Sequence, residues 1–207
     1  MRDGGRAGAG TGPAGRTGAT VWLTGLPSAG KSTIAQAVAG RLLASGREVE
    51  ILDGDEVRTN LSAGLGFSKE DRDTNVRRVG YVARLLAAHG VLVLVPVIAP
   101  YEFSREAVRL LHDDKGVRYL EVHIATAVDV CAMRDVKGLY AEYASGRLSG
   151  LTGIDDVYEP PVRPDLRLDT AGEAVAESAD RLMRLLREQG LVRGQCPQPR
   201  GDRPLPA

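Results

Sequence analysis

The run Gly25-Leu26-Pro27-Ser28-Ala29-Gly30-Lys31-Ser32-Thr33 constrains this chain more than any other stretch. It satisfies the pattern G-x-x-x-x-G-K-[ST], and it lies between a short apolar strand pattern, 20–25, and a longer helical one, 31–45. Each part has a chemical reason. Gly25 and Gly30 let the backbone turn its N–H groups inward on phosphate oxygens, and the helix start adds partial positive charge. Lys31 is placed to reach β- and γ-phosphates, and the Ser32 hydroxyl can ligate Mg²⁺. The combination predicts binding of a nucleoside triphosphate such as ATP and leaves open what is done with it.

The rest of the chain supports a fold built around that loop. Apolar runs at 20–25, 48–53, 91–98, 118–124 and 166–169 alternate with helical patterns near 31–45, 55–61, 70–89, 103–114, 127–133 and 173–189. Strands alternating with helices predict an α/β, three-layer P-loop NTPase fold with a mostly parallel central sheet, helices on both faces and a lid. Gly46, Gly90 and Gly190 stand just past three of the helical patterns, where a left-handed cap is expected. Residues 134–164 carry little periodicity and read as an irregular lid over the ligand. Residues 1–18 and 190–207 read as mobile tails around one domain, 19–189, because neither buries enough apolar surface to order itself.

Composition excludes several other classes. The 27 basic and 27 acidic residues cancel, so no chain-wide field attracts a nucleic acid or an anionic membrane, and neither is expected as a partner. Cys131 and Cys196 offer no disulfide framework or metal-ligand spacing. The longest apolar run, 91–100, is about half of what spans a bilayer. These features predict a soluble protein of the cytoplasm.

The acidic residues narrow the reaction. Motor ATPases and GTPase switches place an Asp at the end of a later strand, but 91–98 ends without a carboxylate, and no Asn-Lys-x-Asp guanine reader occurs. Instead Asp53-Gly54-Asp55 follows the second strand, with Arg58 one helical turn on. The carboxyl end of that strand lies beside the phosphate loop in such a fold, so Asp53 or Asp55 can meet an acceptor next to the transferring phosphoryl group. That favours a small-molecule kinase, and Asp55 is also suited to cap the following helix. Arg72 and Asn75 are three apart on one helix face, where an Arg fork can hold an anionic substrate group. Arg77 and Arg78 read as solvated or salt-bridged. Phe67, in the turn Leu65-Gly66-Phe67-Ser68, is expected to stack on a ligand rather than join the core.

Six motifs in order resemble those of adenylylsulfate kinases, which phosphorylate the 3′-hydroxyl of adenosine 5′-phosphosulfate with MgATP. They are the loop at 25–33; Leu52-Asp53-Gly54-Asp55-Glu56-Val57-Arg58; the Phe67 turn; Asp71-Arg72-Asp73-Thr74-Asn75-Val76-Arg77-Arg78; Lys137-Gly138-Leu139-Tyr140; and Thr152-Gly153-Ile154-Asp155-Asp156. The resemblance implies that Asp55 orients or deprotonates the ribose hydroxyl and that Asp53 supports it and the metal region. Arg58, Arg72 and Asn75 would hold the phosphosulfate and ribose, Phe67 would stack on the adenine, and Arg134 would lie near the donor adenine. Lys137, Leu139, Ile98 and the 151–154 stretch Leu151, Thr152, Gly153, Ile154 would complete the acceptor side and the lid. It also implies a homodimer and association with a sulfate adenylyltransferase.

This chain departs from the family pattern in places. Ala99 stands where a serine is common, so no phosphoserine can form there. Leu151 replaces a Phe, which would turn a two-ring clamp on the acceptor adenine into one ring and an aliphatic wall. Val136 and Val157 occupy positions where Pro is common, which would loosen the lid. Two other readings stay open on these residues: a kinase of the same fold with a different phosphorylated nucleoside or small alcohol as acceptor, and a nucleotide-binding regulatory protein without turnover.

Overall fold

A computed structural model describes residues 17–192. It contains β1 (Ala19–Thr24), α1 (Lys31–Ala44), β2 (Val49–Ile51), α2 (Gly54–Asn60), α3 (Lys69–Ala88), β3 (Leu92–Pro96), α4 (Glu102–Asp113), β4 (Arg118–Ile124), α5 (Val128–Arg134), α6 (Leu139–Ala144), β5 (Leu166–Leu168) and α7 (Val175–Glu188). Five parallel strands form one sheet in the order β2-β3-β1-β4-β5, the architecture of a P-loop NTPase.

Every residue of β1 is buried, because a parallel strand at the centre of such a sheet is covered on both faces. Alternation along the strands divides the core in two. Val21, Leu23, Leu92 and Leu94 pack with Ile34, Val38, Leu182 and Leu186 of α1 and α7. Trp22, Val93 and Val95 point the other way, onto Val76, Val79 and Val108 of α3 and α4. Turn chemistry sets the element boundaries. The Ser68 hydroxyl accepts the Asp71 N–H at 3.1 Å and starts α3, and Gly46, Gly90 and Gly190 take positive φ after α1, α3 and α7, as their spacing predicts.

Two boundaries differ from the sequence reading. The stretch 134–164 is not wholly irregular: α6 lies within it, and its six residues are too few to register a 3.6-residue period. Order also extends past the predicted tail limits. Arg47 Nη2 donates to the Thr17 carbonyl at 2.6 Å, and Leu191 is buried against the α1/α7 core. The remainder of both predicted tails, 1–16 and 193–207, lies outside the described residues.

Candidate active site

At the carboxyl edge of the sheet a cavity of about 610 Å³ opens between the β1–α1 loop and the ends of β2 and β3. This is where a parallel sheet presents its loops. Pro27, Ser28, Gly30, Lys31, Ser32 and Thr33 form one wall. Gly30, at φ 104°, precedes α1 and turns the chain into the helix. Gly25, Leu26 and Ala29 stand behind this wall. The first two accept hydrogen bonds through their carbonyls from Lys31 Nζ, at 3.0 and 2.7 Å. The Lys31 ammonium is buried, and loss of solvent lowers its pKa to about 8.

The opposite wall carries the acidic pair. Asp53, not Asp55, caps α2: its carboxylate accepts the Asp55 N–H at 3.1 Å. Its other oxygen accepts from Ser32 Oγ at 2.6 Å, which ties the phosphate loop to the second strand. Asp55 is thereby free of the capping role and forms an ion pair with Lys137, both side chains being more than half exposed. A serine hydroxyl and a carboxylate beside a phosphate loop are hard oxygen donors of the kind Mg²⁺ takes alongside phosphates and water, so the donor set fits that ion.

Arg58, Phe67, Arg72, Asn75 and Ile98 line the cavity beyond Asp55. Phe67 is 65% exposed, consistent with a platform rather than a core residue, and Arg58 lies 4.4 Å from its ring centroid. The buried Asn75 Oδ1 meets no hydrogen-bond donor among the described residues. Lys137 and Leu139 close the cavity from the lid, and Arg134 from α5 reaches it beside Thr170.

The sequence profile of the family described as Adenylylsulphate kinase matches residues 17–169. The chain belongs to the adenylylsulphate kinase family. It is 50% identical over 175 residues to the adenylyl-sulfate kinase of Microcystis aeruginosa, covering 84% of this chain and 94% of that one. To the adenylyl-sulfate kinase of Myxococcus xanthus it is 48% identical over 172 residues, covering 83% and 92%. Among solved structures, the Mycobacterium tuberculosis APS kinase in complex with AMPPNP and APS superposes with a TM-score of 0.81 at 44% identity, covering 83% of this chain and 99% of that one.

Within the adenylylsulphate kinase frame, some predicted residues fall outside the cavity walls. Leu151 is buried in the α1/α7 core and does not line the cavity. Thr152 is also buried, and its hydroxyl accepts from Arg72 Nη1 at 2.9 Å. Gly153 and Ile154 line a separate hollow with Leu26. Gly153 takes φ 90°, which favours glycine, and a Cβ there would also push aside the tip of Leu26, whose Cδ2 would lie 2.4 Å away. Arg72 is occupied by protein: it donates to the Phe67 carbonyl at 2.9 Å and the Gly150 carbonyl at 2.8 Å, and pairs with Asp156 at 3.1 Å. It lines the cavity and also pins the 150–156 turn to α3. Arg77 pairs with Asp73, and Arg78 donates to the Leu61 carbonyl, so both serve the surface as expected.

Sequence reasoning missed the groups that hold the loops. Tyr140 on α6 donates to the Pro27 carbonyl at 3.1 Å. Arg105, fully buried and paired with Glu121 at 2.9 Å, donates to the carbonyls of Ala99 and Glu159, each at 2.7 Å. It joins the Ile98-Ala99-Pro100 wall, where Ala99 takes φ 43°, to the end of the lid segment. Thr170, just past β5, lines the cavity. Its place after a parallel strand was the one available signal.

Proposed function

We propose that this chain transfers the γ-phosphoryl group of ATP to the 3′-hydroxyl of adenosine 5′-phosphosulfate, giving 3′-phosphoadenosine 5′-phosphosulfate and ADP. The observation that carries this reading is the 2.6 Å Ser32–Asp53 hydrogen bond, which joins the phosphate loop to the Asp53-Gly54-Asp55 turn in the wall of one cavity. Half-identity to adenylyl-sulfate kinases along nearly their whole length supports it independently.

Phosphoryl transfer relies on in-line positioning and charge neutralisation more than on a strong base. The loop N–H groups and Lys31 hold the triphosphate, and Ser32 with Asp53 would hold Mg²⁺. An ion held by these two residues would supply positive charge to the phosphate oxygens. Asp55 orients the ribose hydroxyl and accepts its proton. Arg58, Arg72 and Asn75 hold the acceptor's phosphosulfate and ribose, with Phe67 against its adenine and Ile98 and Leu139 beside it. The Asp55–Lys137 pair spans the cavity mouth. Being exposed, it is worth about 0–1 kcal/mol and yields readily, freeing Lys137 for a phosphate. Residues 134–164 form the lid of a single catalytic domain, 19–189. No helix among the described residues is long and apolar enough to cross a membrane, and we place the enzyme in the cytoplasm as a homodimer.

The deciding experiment gives purified protein ATP, Mg²⁺ and a panel of acceptors, reading products by mass. Adenosine 5′-phosphosulfate should stimulate ADP release and gain one phosphoryl group, and adenosine monophosphate should not. Turnover with another acceptor alone would replace this reading with a different kinase of the same fold.

A further inference from the structure

Ala29, directly before Gly30 in the phosphate loop, is fully buried, and three donors converge on its carbonyl. Thr126 Oγ1 donates to it at 3.1 Å, Thr170 Oγ1 at 3.0 Å, and Arg134 Nη1 approaches at 3.4 Å. The two hydroxyls lie 2.7 Å apart, and Arg134 Nη1 donates to Thr170 Oγ1 at 2.7 Å. Two hydroxyl protons serve three contacts. Arg134 therefore fills an acceptor site on Thr170 and leaves both threonine protons directed towards the carbonyl, either directly or through one another. Thr126 follows β4 and Thr170 follows β5, the two strands stacked beside β1 on this side of the sheet.

The orientation matters because the peptide between Ala29 and Gly30 is trans, with its C=O and N–H pointing in opposite directions. With the carbonyl held by Thr126 and Thr170 after β4 and β5, the Gly30 N–H points the other way, and Gly30 lines the cavity, as Thr170 and Arg134 also do. Glycine tolerates both signs of φ, so this peptide could rotate at little conformational cost and present its oxygen to the phosphates instead. We propose that Thr126 and Thr170 are positioning residues for the triphosphate, their hydroxyls clamping the Ala29 carbonyl so that the Gly30 N–H faces the anion.

This rests on the reading of the 25–33 loop as the ATP site, so the test begins with wild-type protein. Calorimetric titration with ATP should show binding; no binding would overturn both the site assignment and the clamp. Thr126→Val, Thr170→Val and the double variant are then compared with Thr126→Ser and Thr170→Ser. Loss of the clamp should raise the Kd and KM for ATP about tenfold in the double valine variant, while the KM for adenosine 5′-phosphosulfate changes less than twofold. The serine variants, which keep the hydroxyl, should stay near wild type. Wild-type ATP affinity in the valine variants would overturn the clamp alone. So would equal loss for both substrates, or serine variants as impaired as the valines. If the double variant does not fold, Thr170→Val carries the same comparison with a smaller expected change.

Discussion

The Lys31 ammonium serves two partners in turn. In the free protein it is bound by the Gly25 and Leu26 carbonyls and largely cut off from water, and that desolvation lowers its pKa from 10.5 to about 8. A triphosphate would restore the charged form by Coulombic attraction. The profile of kcat/KM for ATP reports the free enzyme, so it should fall as pH rises through about 8, whereas kcat should hold its plateau to higher pH. A kcat/KM flat to pH 10 would show that Lys31 keeps its proton in the free loop. The sign for stability is opposite. The folded value lies below the unfolded one, so between about 8 and 10.5 the unfolded chain binds more protons, and this residue's contribution to stability rises with pH there.

Arg72 poses a different question at the same scale. Its donors meet Phe67, Thr152, Gly150 and Asp156, an arrangement that needs a planar fork and not only a charge. Arg72→Lys keeps the charge and loses the fork. Steady-state kinetics should therefore show an acceptor KM raised nearly as much by Arg72→Lys as by Arg72→Ala, roughly tenfold in each, with the KM for ATP little changed. Recovery of acceptor affinity in the lysine variant would mean that Arg72 acts as a point charge on the anion and that its contacts to the turn are incidental.

Among the elements, the α3–α4 contact is where packing overrides propensity. Gly80 lies within α3, where alanine would be the better helix former by about 1 kcal/mol. A Cβ there would sit 2.6 Å from Val108 Cγ2 and 2.8 Å from Cγ1, and a β-branched side chain on a helix has little freedom to move aside. Gly80→Ala should destabilise the fold by about 1–3 kcal/mol in denaturant unfolding, and adding Val108→Ala should recover part of the loss. A stability gain on Gly80→Ala alone would show the helices able to separate. Such a contact cannot be read along the chain, and the same limit separates what was legible here from what was not. The β1–loop–α1 unit was legible because its motif brings its own strand and helix, and the long helices because they repeat over several turns. α6 was not, being shorter than two turns, and the burial of Leu151 was not, because packing against another element leaves no local trace. Asp53 and Asp55 were both visible as candidates. Which of them capped α2 depended on where the helix began, a boundary that sequence fixes only to within a residue or two.

At the scale of the molecule, the lid segment is anchored to the sheet by buried polar groups, and acid tests that anchorage. Tyr158 Oη lies 3.1 Å from Thr24 Oγ1, which donates to the Ile98 carbonyl in the cavity wall. Beside them His123 stands on β4, opposite Thr24 on β1 and Arg167 on β5, its ring 6.0 Å from that of Tyr158. Burial, with Arg167 and Arg105 adding like charge, lowers the His123 pKa from 6.5 to about 4. His112, held between the Val108 carbonyl and Thr20 Oγ1, is lowered too, chiefly by burial. Because the folded values lie below the unfolded one, their contribution is fully present above about pH 6.5 and is lost as pH falls towards the folded values. Between pH 6.5 and about 5 ordinary carboxylates stay ionised, and buried Glu121, whose pKa burial raises, acts with the opposite sign, so the two histidines supply the loss of stability in that window. Thermal melts should show Tm falling by several degrees across it, and the slope should be shallower in His123→Gln, where nothing at that position titrates. An unchanged slope in the variant would place the acid sensitivity elsewhere, with His112 on the opposite end of the sheet as the remaining buried histidine.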